Sequence, residues 1–200
     1  MVPVHRGKAL LLVVPVWLAL CTSASAQRAD ADAQRRILAV YSNTSTLTAN
    51  VGIAAGLRDV LDAALRMRLA LHTEFRAIET FPGDAEDARF VDMLVRKYAD
   101  EPLDVVLTIG PEAFRLVRQN RERFAPGAPV VAAGLSKGSY ETPLPDDVHV
   151  VHSSFDLAGT VALARRMQPG AERLVVFSGS AAFDDNWQRF ARDALAGTQD

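Results

Sequence analysis

The chain has 200 residues, of which 49% are hydrophobic and 23% are charged, and its formal net charge is −2. These values are ordinary for a globular protein that can bury a core, and the length predicts one or two domains. The near-neutral charge and the lack of a basic run in the sequence argue against nucleic acid as a partner.

Residues 1–26 have the pattern of a secretory signal peptide. The basic residues Arg6 and Lys8 precede the apolar run Ala9–Leu20, and the small residues Ala24-Ser25-Ala26 follow it. The apolar run is short for a membrane span, so cleavage after Ala26 and export to the periplasm are expected. Loss of the signal leaves 20 basic and 24 acidic residues, a net charge of −4.

Cys21 is the only cysteine, and it lies inside the predicted signal. A lipoprotein signal would place a small residue before the acylated cysteine, but Leu20 stands there, so lipidation is the less favoured alternative. The mature chain would then lack cysteine and rest on its core rather than on disulfides. Residues 27–35 are mostly polar and are expected to form a disordered leader.

From residue 36 onward, short apolar runs alternate with apolar residues at helical spacing. Strands are predicted at residues 36–41, 69–75, 104–109, 130–133, 148–153 and 174–177, and helices at 50–66, 85–98, 111–124 and 157–167, with a last helix through Trp187, Phe190 and Leu195. This alternation predicts an α/β fold with a parallel, doubly wound sheet. The pattern restarts at Phe155-Asp156, which predicts a first lobe at 36–153 and an incomplete second lobe at 154–200.

The strand at 104–109 is expected to organise the fold. It is apolar and rich in β-branched residues, which suits burial on both faces, and Gly110 and Pro111 then start a helix. In an open parallel sheet, ligands bind at the carboxyl ends of such strands, and a helix N-terminus there favours anionic groups.

Short polar residues and glycines follow several of the predicted strands. The candidate ligand-binding residues are Ser42, Asn43, Thr44, Gly110, Glu112, Gly134, Ser136, Ser178 and Gly179. Parallel strands share a direction, so such side chains can meet at one edge and hydrogen-bond a small polar ligand without performing chemistry on it. The alternative for each is a role in turns and helix caps, and for Glu112 the role of a partner of its helix dipole stands equally beside ligand contact.

The sequence contains features of two other kinds of site. Gly134–Gly138 matches G-x-S-x-G, so a secreted serine hydrolase using Ser136 is the alternative function, but the Pro-rich stretch that follows argues against the helix that a nucleophile elbow requires. His72, His149 and His152 do not have zinc-site spacing, and no phosphate-binding glycine motif follows a strand. We therefore expect neither a metal, a cofactor nor an enzymatic activity.

Several short motifs resemble one family in their order and spacing. They are Val40-Tyr41-Ser42-Asn43, Ala49-Asn50-Val51 with Gly56-Leu57, Gly110-Pro111-Glu112-Ala113, Pro126–Val131, Phe155–Thr160 and Arg173–Gly179. Together they cover the mature chain and resemble the substrate-binding proteins of ABC transporters, in particular the version that serves as the extracytoplasmic sensor of bacterial histidine kinases.

The resemblance implies a type I periplasmic-binding-protein fold with two α/β lobes and a ligand in the cleft between them. It also implies an ABC permease or a signalling kinase module as partner. The sequence holds only about two strand–helix units of the second lobe, so we expect either a piece of a longer protein or a truncated reading frame.

Overall fold

The computed structural model describes residues 34–65, 68–136, 139–180 and 184–196. The predicted signal peptide, Cys21 and most of the predicted leader lie outside the described residues. The chain forms two compact units with a boundary between His152 and Ser153. None of the helices in the described ranges combines the length and the apolar character that a membrane crossing requires.

The first unit alternates strands with helices, as the sequence predicted. Its elements are β1 (Arg35–Tyr41), α1 (Thr48–Leu65), β2 (Leu69–Phe75), α2 (Asp84–Lys97), β3 (Val105–Ile109), α3 (Pro111–Asn120), a 3₁₀ turn (Arg121–Arg123), β4 (Val130–Leu135) and β5 (Val148–His152). All four strand pairings are parallel, and the strand order is β2-β1-β3-β4-β5. The predicted α/β fold with a parallel sheet is confirmed.

The two faces of the sheet are covered by different helices. On one face, Leu38 and Val40 of β1 pack with residues of α2 and α3. On the other face, Ala39 and Tyr41 pack with Ala54 and Leu57 of α1 and with neighbouring residues of β2 and β3. Because successive side chains of a strand point to opposite faces, this alternation makes the sheet doubly wound around β1.

Strand β1 contributes buried side chains to the core on both faces of the sheet. Leu38, Ala39 and Val40 are fully buried, and Tyr41 is 1% exposed and stacks on Phe75. Burial of one such leucine or valine side chain contributes about 1.5–3 kcal/mol. A strand buried on both faces is typically a continuous apolar run, and the apolar run in the sequence predicted this strand.

The second unit contains helices α4 (Leu157–Met167) and α5 (Asp185–Leu195). Asp156 caps α4, because its Oδ1 accepts the backbone N–H of Gly159 at 2.7 Å, as the sequence predicted. Phe155 and Phe190 both lie edge-on to Trp187, at ring-centroid distances of 4.9 and 6.1 Å.

The prediction of a strand at residues 174–177 is wrong. Residues 171–180 have neither strand nor helix structure, and the side chains of Leu174–Phe177 are exposed, that of Phe177 by 92%. A strand needs a neighbouring backbone to satisfy its N–H and C=O groups, and the described part of the second unit contains no strand that would pair with it. The apolar run therefore has the composition of a strand but does not pair with another strand in the described part of the chain.

Candidate ligand-binding site

The candidate site lies where the winding of the sheet changes direction. From β1 the chain passes through α1 to β2 on one side, and from β3 it passes through α3 to β4 on the other side. Strands β1 and β3 are neighbours, and Tyr41 lies opposite Ile109 at their carboxyl ends. In open parallel sheets, this switch point leaves a crevice outside the strand ends, where ligands bind.

Ser42 joins the end of β1 to the start of α3. Its side chain is buried, and its Oγ accepts the backbone N–H of Ala113 at 2.9 Å. Its own N–H donates to the carbonyl of Ile109 at 2.9 Å. The hydroxyl thus satisfies one of the N–H groups that an anion at the helix terminus would otherwise use. Of the two roles predicted for Ser42, helix capping and ligand contact, the structure shows the first. Its contact with a ligand stays a prediction.

Gly110 and Gly134 bring the end of β3 close to its two neighbours. Gly110 has φ 93° and ψ 162°, a region essentially restricted to glycine, and a Cβ there would lie 2.6 Å from Ser42 Oγ. A Cβ on Gly134, whose φ is 74°, would lie 3.3 Å from the Gly110 nitrogen. The structure thus brings together Ser42, Gly110 and Gly134, which follow or end three adjacent strands.

A carboxylate that was not among the predicted site residues lies at the carboxyl end of β1. Glu79 accepts the backbone N–H of Thr44 at 2.6 Å and the amide of Asn43 at 3.4 Å. Asn50 of α1 is buried and donates to the Thr44 carbonyl at 2.8 Å. Partial burial acts to raise the pKa of Glu79, but the hydrogen bonds from Thr44 and Asn43 outweigh it and hold the pKa below its usual range.

The loop that carries Glu79 is held by a buried arginine. Arg76 directly follows β2, its side chain is 3% exposed, and its guanidinium donates to the carbonyls of Phe81 and Gly83 at 2.6 and 3.2 Å. Its Nε contacts Asp87 at 2.6 Å, and Arg115 of α3 contacts the other oxygen of the same carboxylate. Burial acts to raise the pKa of Asp87, but hydrogen bonds from Arg115 and Arg76 hold it below its usual range. The positive charge of Arg76 is therefore matched inside the protein.

Two further candidates lie at the same edge of the sheet. Glu112 is half-buried in the first turn of α3, and its Oε2 accepts Arg115 Nε at 2.9 Å. Ser136 is exposed just after β4, and its carbonyl accepts the N–H and the hydroxyl of Ser139 at 3.2 and 2.8 Å. Contact of Glu112 and Ser136 with a ligand at this edge stays a prediction.

The surroundings of Ser136 do not supply the features of a nucleophile elbow. Residues 139–147 contain no helix, whereas an elbow requires one immediately after the serine. His152 Nε2 lies 2.7 Å from the hydroxyl of Tyr140, so this ring nitrogen is engaged in a hydrogen bond. In the described residues around Ser136, the geometry does not favour the hydrolase alternative.

Ser178 and Gly179 belong to the second unit. Both are exposed, and the Gly179 carbonyl accepts Gln188 Nε2 at 2.8 Å. Their inclusion in a ligand site with the first unit stays a prediction. Within the described residues, no group of three His, Cys, Asp or Glu side chains is arranged to hold a metal ion.

Glu79 and Arg76 are the site residues that sequence reasoning missed. Arg76 stands directly after a predicted strand, so the rule that selected Ser42 and Gly110 also applies to it. The position of Glu79 depends on the path of the loop, which periodicity does not describe. Arg76 was thus accessible from the sequence, whereas Glu79 required the structure.

The chain was also compared with known proteins. No protein-family model and no curated protein matches it. Among solved structures, it is similar to a periplasmic sugar-binding protein from Pseudomonas fluorescens, with 16% identity, a TM-score of 0.45, and coverage of 80% of this chain and 48% of the other.

Two other solved structures are similar to the chain. A periplasmic ribose ABC transporter protein from Conexibacter woesei has 15% identity, a TM-score of 0.44 and coverage of 83% and 51%. The transcriptional regulator CelR in complex with cellobiose has 19% identity, a TM-score of 0.47 and coverage of 93% and 54%. The chain spans about half the length of each of the three structures.

Proposed function

We propose that this chain is part of an exported binding protein that takes a small polar molecule at the carboxyl edge of β1 and β3. The observation that carries the proposal is the strand order, which makes the ends of these two strands the switch point of the sheet. Asn43, Thr44 and Gly110 stand at those ends, two of them with half-buried polar side chains.

The groups at this edge are suited to binding rather than to bond breaking. Amides, hydroxyls and backbone groups can donate to and accept from a ligand, and Asn43 can do both. Ser136, the nucleophile of the hydrolase alternative, is followed by no helix within the described residues 139–147. No enzymatic activity is proposed.

The wider context of the proposal comes from the sequence. The ordered motifs resemble the substrate-binding proteins of ABC transporters, so we assign residues 36–153 to the first lobe of a type I periplasmic binding protein and residues 154–200 to the start of the second. Residues 1–26 would export the chain to the periplasm. In the whole protein, the ligand would then be passed to a permease or would signal through a histidine kinase.

The proposal is tested by locating bound small molecules. The 200-residue chain, labelled with ¹⁵N, is titrated with mixtures of polyols, amino acids and nucleosides while its amide spectrum is recorded. We expect shifts concentrated at Asn43, Thr44, Gly110 and Glu112. No shift at this edge with any mixture, or shifts confined to other surfaces, would contradict the proposal.

A bound molecule found in this way also tests Asn43. Asn43→Ala should weaken its binding by about 1–3 kcal/mol, the range for a polar group left without its partner. Asn120→Ala is the control, because the Asn120 amide donates to Leu116 within α3, away from the strand ends. Equal affinity of the Asn43→Ala variant and the unchanged chain would remove Asn43 from the site.

A further inference from the structure

We infer that Glu79 determines the ligand class of the switch-point crevice, favouring a molecule that presents an ammonium or hydroxyl donor and disfavouring an anion. The inference rests on the proposed function and names the chemistry of the same site. The starting observation is that the Glu79 carboxylate is bound to the two residues that directly follow Ser42 at the mouth of β1.

The position of Glu79 is fixed from both sides of its loop. Before it, the N–H of Ile78 donates to the Ser42 carbonyl at 3.1 Å. After it, the Arg76 guanidinium holds the Phe81 and Gly83 carbonyls. A loop tied to β1 on one side and to the start of α2 on the other is preorganised, so the carboxylate reaches the strand end without ordering cost when a ligand arrives.

The carboxylate is also accessible to a ligand. Glu79 is an exposed residue, so its negative charge at the end of β1 is open to solvent while Thr44 and Asn43 hold it in place. The hydrogen bonds that lower its pKa keep it ionised in neutral solution. A donor group of a ligand can therefore bind it, and a ligand carboxylate or phosphate is repelled.

Three groups near this edge that would attract an anion are already engaged. The Ala113 N–H at the start of α3 is bound to Ser42, and the Arg76 guanidinium is bound to Asp87 and to two carbonyls. Arg115 contacts both Asp87 and Glu112. The preference of the α3 N-terminus for an anion is thus offset by Ser42, and the exposed carboxylate of Glu79 adds a negative charge at the end of β1.

The test compares three probes of similar size and different charge. The full 200-residue chain, labelled with ¹⁵N, is titrated with propylamine as its ammonium ion, with glycerol and with propionate. We expect propylammonium and glycerol to shift the Thr44 amide and the Asn43 side-chain amide, and propionate to leave them in place. Glu79→Gln should weaken the propylammonium effect at least tenfold.

Glu122→Gln is the matched control, because it removes the same charge from the exposed 3₁₀ turn after α3. It should leave the titrations unchanged, and unchanged amide positions in β1 and β3 show that either variant is folded. Shifts by propionate at Thr44, or full retention of the propylammonium effect in Glu79→Gln, overturn the inference while the crevice remains a binding site. If none of the three probes shifts an amide at the crevice, the inference is overturned. Titration with the wider mixtures of polyols, amino acids and nucleosides then tests the proposed function.

Discussion

At the scale of single residues, two glycines provide a matched pair. Gly110 and Gly83 both precede a helix, with φ, ψ of 93°, 162° and 101°, 161°. A Cβ at Gly110 would meet Ser42 Oγ at 2.6 Å, whereas a Cβ at Gly83 would meet nothing within 4 Å. The two positions therefore share the backbone conformation and differ in the close approach of β1 to β3.

We expect Gly83→Ala to destabilise the fold by about 1–3 kcal/mol, the cost of a non-glycine residue in this conformation. Gly110→Ala should cost about 1–3 kcal/mol more, because the added methyl group forces Ser42 to move. Urea unfolding followed by circular dichroism measures both. Equal losses of stability in the two variants would show that the contact between Gly110 and Ser42 is not tight in solution.

At the scale of elements, Arg76 and Arg115 bind one carboxylate with very different exposure. The Arg76 side chain is 3% exposed and that of Arg115 is 44% exposed, while both contact Asp87. Arg76 also binds the carbonyls of the loop between β2 and α2, whereas Arg115 binds Glu112 and Gln119 on its own helix. Arg76 thus ties the loop after β2 to the start of α2 from a buried position, whereas Arg115 links α3 to α2 from an exposed position and binds two residues of its own helix.

Arg76→Met should destabilise the first unit by about 3 kcal/mol, because it leaves buried acceptors without a partner. The matched variant Arg115→Met should cost about 0–1 kcal/mol, as is usual for an exposed ion pair. Thermal unfolding of the two variants gives the comparison. A larger loss in Arg115→Met than in Arg76→Met would reverse the assignment of the structural role.

The elements also show how far the sequence predicts the fold. The strands of the first unit were predictable because β1 and β3 are apolar runs bounded by polar or glycine residues. Residues 174–177 have the same composition, but a strand depends on a partner that composition does not reveal. At the site, Gly110 was predictable from its place between a strand and a helix. Glu79 was not, because its contact with Thr44 spans 35 positions and depends on the loop.

At the scale of the molecule, the two units differ in how they satisfy their backbones. The first unit has five hydrogen-bonded parallel strands, and Leu38, Ala39 and Val40 within it are fully buried. The described part of the second unit has two helices and the exposed apolar segment 174–177, where no ladder forms. Amide groups without a ladder have little protection from solvent.

We therefore expect the amides of Leu174–Phe177 to exchange with deuterium at least a hundredfold faster than those of Leu38–Val40. Hydrogen exchange read by mass spectrometry on the 200-residue chain measures both segments in one experiment. The helix α4 is an internal reference for a helical backbone in the same unit. Protection of residues 174–177 equal to that of β1 would show that they pair with another strand in solution.

The position of β1 between two strands that follow it in the chain has a consequence for the order in which the chain is made. Ile37 of β1 pairs with Leu71 on one side and with Val105 on the other, and both partners are synthesised later. At about 5–20 residues per second, the ribosome needs several seconds to reach the second partner. During that interval, β1 has at least one open edge, which invites pairing with other chains. Until β3 has emerged, a segment that is later buried on both faces of the sheet is therefore open to association with other chains.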